Sequence, residues 1–194
     1  MKTIILATNN THKQKEFQSL LSNFKILTLK DINFLEDVEE TGVTTKENAE
    51  IKARAIFDFE KSKGLNFPVI SDDSGLFVNA LGGEPGVYSA RYAGDHNSQS
   101  NRDKVIKNLE GKNDRSAYFE CTICYIDENT TKFFVGRTYG QITKEEIGDT
   151  SFGYDCIFLS DDLHKTFGQS AEEEKDSVSH RGRAVTELKK FLLK

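Results

Sequence analysis

The stretch Val69–Tyr92, VISDDSGLFVNALGGEPGVYSARY, constrains this chain more than any other. A short apolar run, Val69-Ile70, ends in two adjacent carboxylates, Asp72 and Asp73. Ser74-Gly75 follows, a pair that permits a tight turn before a second apolar run, Leu76-Phe77-Val78. Gly82-Gly83 breaks that run, and the chain passes Pro85-Gly86 into Tyr88-Ser89-Ala90-Arg91-Tyr92. Buried strands commonly end at ligand clefts, where the loops beyond them aim side chains. Successive strand residues point to opposite faces, so at most one of the two aspartates can face a cleft from a regular strand. The other has to be paired or turned outward. Asp-Asp-Ser-Gly alone also reads as a surface turn.

The segments on either side suit a mixed α/β architecture. Thr3–Thr8 reads as a buried first strand that runs through Asn9-Asn10-Thr11-His12-Lys13 into a helix ending near Leu21, with Phe17, Leu20 and Leu21 on one face. Strand, polar loop and helix start form an arrangement that binds phosphate, because a helix N-terminus offers free N–H groups and partial positive charge. Lys13 adds a full charge. The loop has no glycine, so it is neither a Walker nor a Rossmann loop, and an ordinary capped connection remains a reading of equal standing. Lys25–Leu29 is expected to be a second strand. In the acidic segment Asp31–Glu40, the cluster Glu36, Asp37, Glu39 and Glu40 reads either as a solvated face or as a hard-metal site. Thr44 and Glu47 have capping-box spacing ahead of a helix to about Lys61 that buries Ala49, Ala53, Ile56 and Phe57. Asn48 and Lys52 lie one turn apart on a shared side, where either both face a cleft or Lys52 is a plain surface lysine.

Beyond the central stretch, a helix is expected to end near Leu109, burying Val105, Ile106 and Leu109. Ser116–Asp127 alternates over a long run and Thr131–Gly140 follows as its partner, with Glu128-Asn129-Thr130 as the turn. Two long strands beside a shorter strand–helix section predict a mixed sheet with an extended lobe. Phe152-Gly153-Tyr154-Asp155 is a loop in which the aromatic is either a stacking platform for a base or a lid on the core. Ser170 and Glu173 again have capping-box spacing, and Glu172–Asp176, which contains Lys175, reads as a charged helical turn. His180 and Arg181 fall at or near the start of a last helix with Ala184, Leu188, Phe191 and Leu192 inward. A cation there opposes the helix dipole at a cost on the order of half a kcal/mol. That cost points to a ligand for Arg181.

Composition narrows the class. A chain of 194 residues fits one domain spanning 1–194, with room for two lobes. Hydrophobic residues make up 37% and no apolar run nears the roughly 20 residues of a membrane helix. The Ile4–Ala7 run is too short for a signal-peptide core, so the mature chain is expected to start at or near Met1. A net charge of −5 disfavours nucleic acid as a partner, whereas a small polyanion accompanied by a metal ion remains compatible. The three cysteines, Cys121, Cys124 and Cys156, predict a reducing cytoplasm. Cys121 and Cys124 should face opposite sides of a strand as packed thiols, not as a metal or redox pair.

Taken in order, the motifs carry more than any one of them. Thr8-Asn9-Asn10-x-x-Lys13 comes first, then Glu39-Glu40-Thr41-Gly42 and Glu47-Asn48-Ala49-x-x-Lys52-Ala53. Asp72-Asp73-Ser74-Gly75-Leu76 and Pro85-Gly86-x-Tyr88-Ser89-Ala90-Arg91-Tyr92 follow, then Phe152-Gly153-Tyr154-Asp155 and Ser179-His180-Arg181-Gly182-Arg183-Ala184. The series, from Ile4 to the last helix, closely resembles the inosine/xanthosine triphosphate pyrophosphatase family. The resemblance implies Mg²⁺-dependent hydrolysis of deaminated purine nucleoside triphosphates (ITP, dITP, XTP) to the monophosphate and pyrophosphate, which cleanses the nucleotide pool. It implies a twisted mixed sheet flanked by helices, two lobes around a deep central cleft, and a homodimer. By position, Asp73 resembles the general base and, with Glu39, the metal-binding carboxylates. Thr8, Asn9, Asn10, Thr11, His12, Lys13 and Ser74 match phosphate- and substrate-binding segments, and Lys52 looks like a further phosphate partner. Phe152, Gly153, Tyr154 and Asp155 match the base-stacking loop, and Lys175, His180 and Arg181 match residues that contact the base. Cys156 stands where proline is common in the family, and Asn9 where many members carry glycine. Related readings are a pyrophosphatase for other modified nucleotides or dUTP, and a non-catalytic nucleotide-binding protein.

Overall fold

A computed structural model describes residues 2–194. In chain order the elements are β1 (Thr3–Leu6), α1 (Thr11–Leu20), β2 (Lys25–Leu27), α2 (Thr45–Ser62), β3 (Val69–Val78) and β4 (Pro85–Gly86). They continue with α3 (Ser98–Asn108), β5 (Ser116–Ile126), β6 (Thr131–Ile142), β7 (Phe158–Ser160), α4 (Glu172–Val178) and α5 (His180–Leu192). The strands form a seven-stranded mixed sheet in the order β2-β1-β3-β5-β6-β7, with β4 paired to β3. β1 runs parallel to both β2 and β3, Ile5 lying opposite Val69 in the second pair. The β3–β4 and β6–β7 pairs are antiparallel. The expected mixed α/β class is therefore what the chain adopts.

Two compact units divide the chain. The first comprises the N-terminal stretch through Asp73, Cys121–Val135 and Ala184–Lys194. Its strands are apolar on both faces and bury two clusters. Ile4, Leu6, Ile70, Cys121 and Ile123 pack with Phe17 and Leu21 of the α1 region and with Ala184, Val185 and Leu188 of α5. Ile5, Ala7, Val69, Cys124 and Ile126 pack with Ala49, Ala53, Ile56 and Phe57 of α2. The alternation along β1, β3 and β5 sorts the residues between the two clusters, as the pleat requires. Cys121 and Cys124 consequently fall in different clusters, and all three cysteines are free and buried. Among the described residues, no helix is long and apolar enough to cross a membrane.

The second unit, Ser74–Glu120 with Gly136–Arg183, has one core, built from Leu76, Val78, Val105, Leu109, Phe119, Ile157, Phe158 and Phe167 among others. Here the structure corrects two expectations. Ser74-Gly75 makes no turn: β3 runs through both residues to Val78. Gly75 is required for another reason, since a Cβ there would collide with the carbonyl of Gly86 on the neighbouring β4. The capping box expected at Ser170 and Glu173 is displaced by one residue. The N-cap is Ala171, whose N–H donates to Glu174 Oε2 at 3.1 Å, and Ser170 Oγ donates instead to the Thr166 carbonyl. Alanine has no side-chain acceptor, so only half of a box can form. At the other expected box both halves are present, with Thr44 accepting from Glu47 N–H and the Glu47 carboxylate accepting from Thr44 N–H.

Candidate active site

α1 begins at an asparagine cap. Asn10 Oδ1 accepts from the N–H groups of His12 at 3.0 Å and Lys13 at 3.2 Å, while Thr8 Oγ1 accepts from Asn10 N–H at 3.2 Å. The cap thus takes up two of the N–H groups that a helix start offers an anion. The helix dipole and the lysine remain. Lys13 Nζ lies 2.9 Å from Asp72 Oδ2, and Asp72 is wholly buried. The expected division of the aspartate pair holds: one carboxylate is neutralised by a lysine, and the other turns elsewhere.

Asp73 is the other. It is 6% exposed and faces α2, where Asn48 Nδ2 donates to its Oδ2 at 3.3 Å. Lys52 Nζ lies 3.6 Å from Asp73 Oδ1 and 3.1 Å from Glu40 Oε1. Helical spacing brings Asn48 and Lys52 to one side, as four residues make one turn. Asn48 has a second bond, its Oδ1 accepting from Gly42 N–H at 2.8 Å, so one buried amide joins the Glu39-Glu40-Thr41-Gly42 segment to Asp73. Burial pushes the Asp73 carboxyl above its usual range; Lys52 and Lys13 pull it back, and the neighbouring charges of Glu40 and Asp72 add to the rise. For Lys52, burial works against the charge, but Asp73, Asp72 and Glu40 together outweigh it and hold the ammonium above its usual value. The result is a carboxylate more basic than usual beside a lysine that stays charged.

Glu39 is exposed and makes no ion pair among the described residues; the carboxylate that reaches Lys52 is that of Glu40. Asn9 is exposed and donates to Asp37 Oδ1 at 3.3 Å, tying the first loop to the acidic segment. Thr11 and His12 are exposed on the first turn of α1. No group of three or more His, Cys, Asp or Glu side chains able to hold a metal occurs among the described residues. Two carboxylates gathered on one ammonium do suit Mg²⁺, which takes one or two carboxylates and completes its shell with water and substrate phosphate. Asp73 and Glu40 are carboxylates of the kind such a shell takes, and Glu39, exposed, stands beside Glu40 in sequence.

The remaining expected residues gather within the second unit. The boundary between units falls at the Asp73–Ser74 bond. Arg181 is 4% exposed, and its NH2 donates to Ser74 Oγ at 3.4 Å. His180 stacks on Phe119, ring centroids 4.9 Å apart. Both residues lie in the first turn of α5, as the sequence suggests. Lys175 Nζ pairs with Asp155 Oδ2 at 2.5 Å and sits 4.8 Å from the centroid of the Phe152 ring. Tyr154 is buried, with its hydroxyl donating to the Ser89 carbonyl at 2.6 Å, which joins the Phe152 loop to the Ser89-Ala90-Arg91-Tyr92 segment. Arg183, in the same motif as Arg181, serves the scaffold: it donates to the Arg137 carbonyl and pairs with Asp162 at 2.9 Å.

Sequence reasoning named Asp72 and Asn48 without assigning them to the site, and it missed Arg102. Asp72 carried the signal that one aspartate must be paired. Asn48 carried the signal of its spacing to Lys52. Arg102, buried in α3, carried none.

The model of the Ham1 family matches residues 4–191. A dITP/XTP pyrophosphatase of Leptospira interrogans is 46% identical over 98% of this chain and 97% of its own length. One from Staphylococcus epidermidis is 44% identical over 99% and 97%. The solved structure of the Staphylococcus aureus Ham1 protein superimposes with a TM-score of 0.87 at 40% identity, covering 98% of both chains. With the motifs in order, the sheet matched and nearly the whole length covered, this chain belongs to the Ham1 family.

Proposed function

We propose that this protein hydrolyses deaminated purine nucleoside triphosphates such as dITP, XTP and ITP to the monophosphate and pyrophosphate. The observation that carries the reading is Asp73, a buried carboxylate of raised basicity held by Asn48 and Lys52. It stands in a chain whose relatives are named dITP/XTP pyrophosphatases. Lys13 and Lys52 offset the charge of the triphosphate, and an offset made in a low-dielectric site is worth more than one made in water. Asp73 orients a water and accepts its proton as the water oxygen joins phosphorus. The anhydride between the α- and β-phosphates breaks, and pyrophosphate leaves. Asp73 with Glu40 would hold Mg²⁺, which supplies charge neutralisation at the phosphates when bound.

In this reading Lys13, Lys52 and Asp73 serve the triphosphate. Phe152 stacks on the purine, and Lys175, His180 and Arg181 supply donors for the 6-oxo group. Adenine presents an amino group there and leaves those donors unpaired, a mismatch that discriminates by roughly 10⁴. The protein is further proposed to act as a cytoplasmic homodimer, which sedimentation equilibrium checks directly: a mass of one chain at micromolar concentration rejects the dimer. The function is tested by pyrophosphate release from ITP, dITP, XTP, GTP, dUTP and ATP with Mg²⁺. Rapid cleavage of the first three alone is expected. ATP cleaved as fast as ITP removes the base assignment, preference for dUTP makes the protein a pyrophosphatase of other nucleotides, and binding without cleavage makes it a nucleotide carrier.

A further inference from the structure

The loop that carries Phe152 has little regular structure to hold it, yet its backbone is fixed at both ends. Arg102 does this from α3. It is 2% exposed, and its guanidinium meets four acceptors. Nε donates to Glu146 Oε1 at 2.6 Å and NH2 to Gln99 Oε1 at 2.9 Å. NH1 donates to the carbonyls of Thr150 at 3.3 Å and Gly153 at 2.8 Å. Those two carbonyls flank Phe152. We propose that Arg102 is a positioning residue for base recognition, setting the orientation of the Phe152 ring through the backbone on either side of it.

Three physical points support this. A buried guanidinium is costly unless its hydrogen bonds are met, and its one charged partner, Glu146, is a quarter exposed. The inward face of α3 also holds Asn101, whose amide donates to the Ala90 carbonyl and accepts from the Ala93 N–H, and the fully buried Val105, so the polar side chains buried on this helix answer to named backbone groups. What an arginine adds is a planar fork, which fixes its acceptors relative to one another in a way a lysine cannot. The loop is also anchored around this fork. Asp149 N–H donates to the Gly168 carbonyl and Ser151 N–H to Asp149 Oδ1, each at 2.7 Å. Gly153 takes a left-handed φ of 47°, turning the chain back so that Tyr154 and Asp155 reach Ser89 and Lys175. Phe152 is thus the ring of a clamped loop, not of a mobile one.

The inference rests on the proposed function, since it names a purine as what the ring meets. It is tested with wild type, Arg102→Lys, Phe152→Ala and the double variant. The readouts are ITP kinetics with Mg²⁺ and calorimetric binding of inosine monophosphate and of inorganic tripolyphosphate. Arg102→Lys is expected to raise KM for ITP and weaken the monophosphate on the order of tenfold, the size of effect that a small misplacement produces. The value of kcat and the affinity for tripolyphosphate should stay within about twofold, and the change should vanish in the Phe152→Ala background, as residues acting as one unit are non-additive. Wild-type behaviour of Arg102→Lys, equal losses in both backgrounds, or an equal loss of tripolyphosphate binding overturns the inference and leaves the proposed function standing. Wild type that neither cleaves ITP nor binds the monophosphate overturns both. If Arg102→Lys shows no cooperative thermal transition, Glu146→Gln, which keeps an acceptor for Nε without its charge, takes its place. It should raise KM alone by about threefold, a weakened charge-assisted bond costing less than a lost one, and no change in KM overturns the inference.

Discussion

Asp73 and Asp72 are neighbours of the same type with opposite fates, and the difference lies in which lysine each meets. Asp72 is closed off at 2.9 Å from Lys13. Asp73 shares Lys52 with Glu40 at longer range, and burial raises its carboxyl above the usual range. Replacing Asp73 by Asn keeps the shape and the bond to Asn48 while removing the base. Turnover of ITP should fall by roughly 10²–10⁴, the usual contribution of a general base. Nucleotide affinity by calorimetry without Mg²⁺ should change little, and a variant with wild-type turnover makes the base assignment wrong. The acidic pair Glu39-Glu40 is decided at the same scale. Only the second is drawn toward Lys52. Glu40→Gln should therefore raise the Mg²⁺ concentration for half-maximal activity several-fold, on the order of the 10-fold or more that follows disturbance of a metal's surroundings. Glu39→Gln should leave it unchanged. The opposite pattern would return the metal to Glu39, which is where sequence position alone had put it.

Among the elements, α2 carries the most. Its capping box fixes its start, its apolar face packs on the sheet of its unit, and the flank of that face presents Asn48 and Lys52. Those features were legible in the sequence because each is local: a cap at fixed spacing, a period of 3.6 residues, a pair one turn apart. The far end of the helix held something the period did not show. Glu60 is 1% exposed, and neither carboxylate oxygen has a hydrogen-bond partner. Burial raises its pKa, so the folded chain holds this proton more tightly than the unfolded chain does. Its contribution to stability is complete below the unfolded carboxylate range and is lost as pH rises through the raised folded value. The Tm of the wild type relative to that of Glu60→Gln should accordingly decline as pH climbs from the acid range toward neutrality. Equal slopes for the two proteins would mean that the carboxylate is solvated. A related lesson comes from β3, where Ser74-Gly75 reads as a turn by composition but continues as strand. The glycine answers to Gly86 on a strand ten residues further on, a demand that no local pattern expresses.

For the whole molecule, the cysteines give a direct test of how the units are sealed. Each thiol is buried in one of the clusters, and burial pushes Cys124 up to about 12 and raises Cys156 as well. Thiolate is the reactive form, so iodoacetamide should modify the folded protein only as fast as it opens and should leave activity intact over that period. Rapid uptake of label by the native protein, followed by mass spectrometry, would instead revive a redox role.

What the sequence determined by itself was the class of fold, the ordered motifs and the kinds of residue that the proposed function assigns to the triphosphate and the base. Periodicity, caps and spacing act over a few residues and are written there directly. Which carboxylate of Glu39-Glu40 approaches Lys52, which aspartate meets Asn48, and that a buried arginine from α3 clamps the Phe152 loop were decided by tertiary structure alone. Those outcomes depend on burial and on contacts between segments up to about fifty residues apart (Arg102 with Gly153 spans 51 positions), and neither burial nor such contacts leave a periodic mark on the chain.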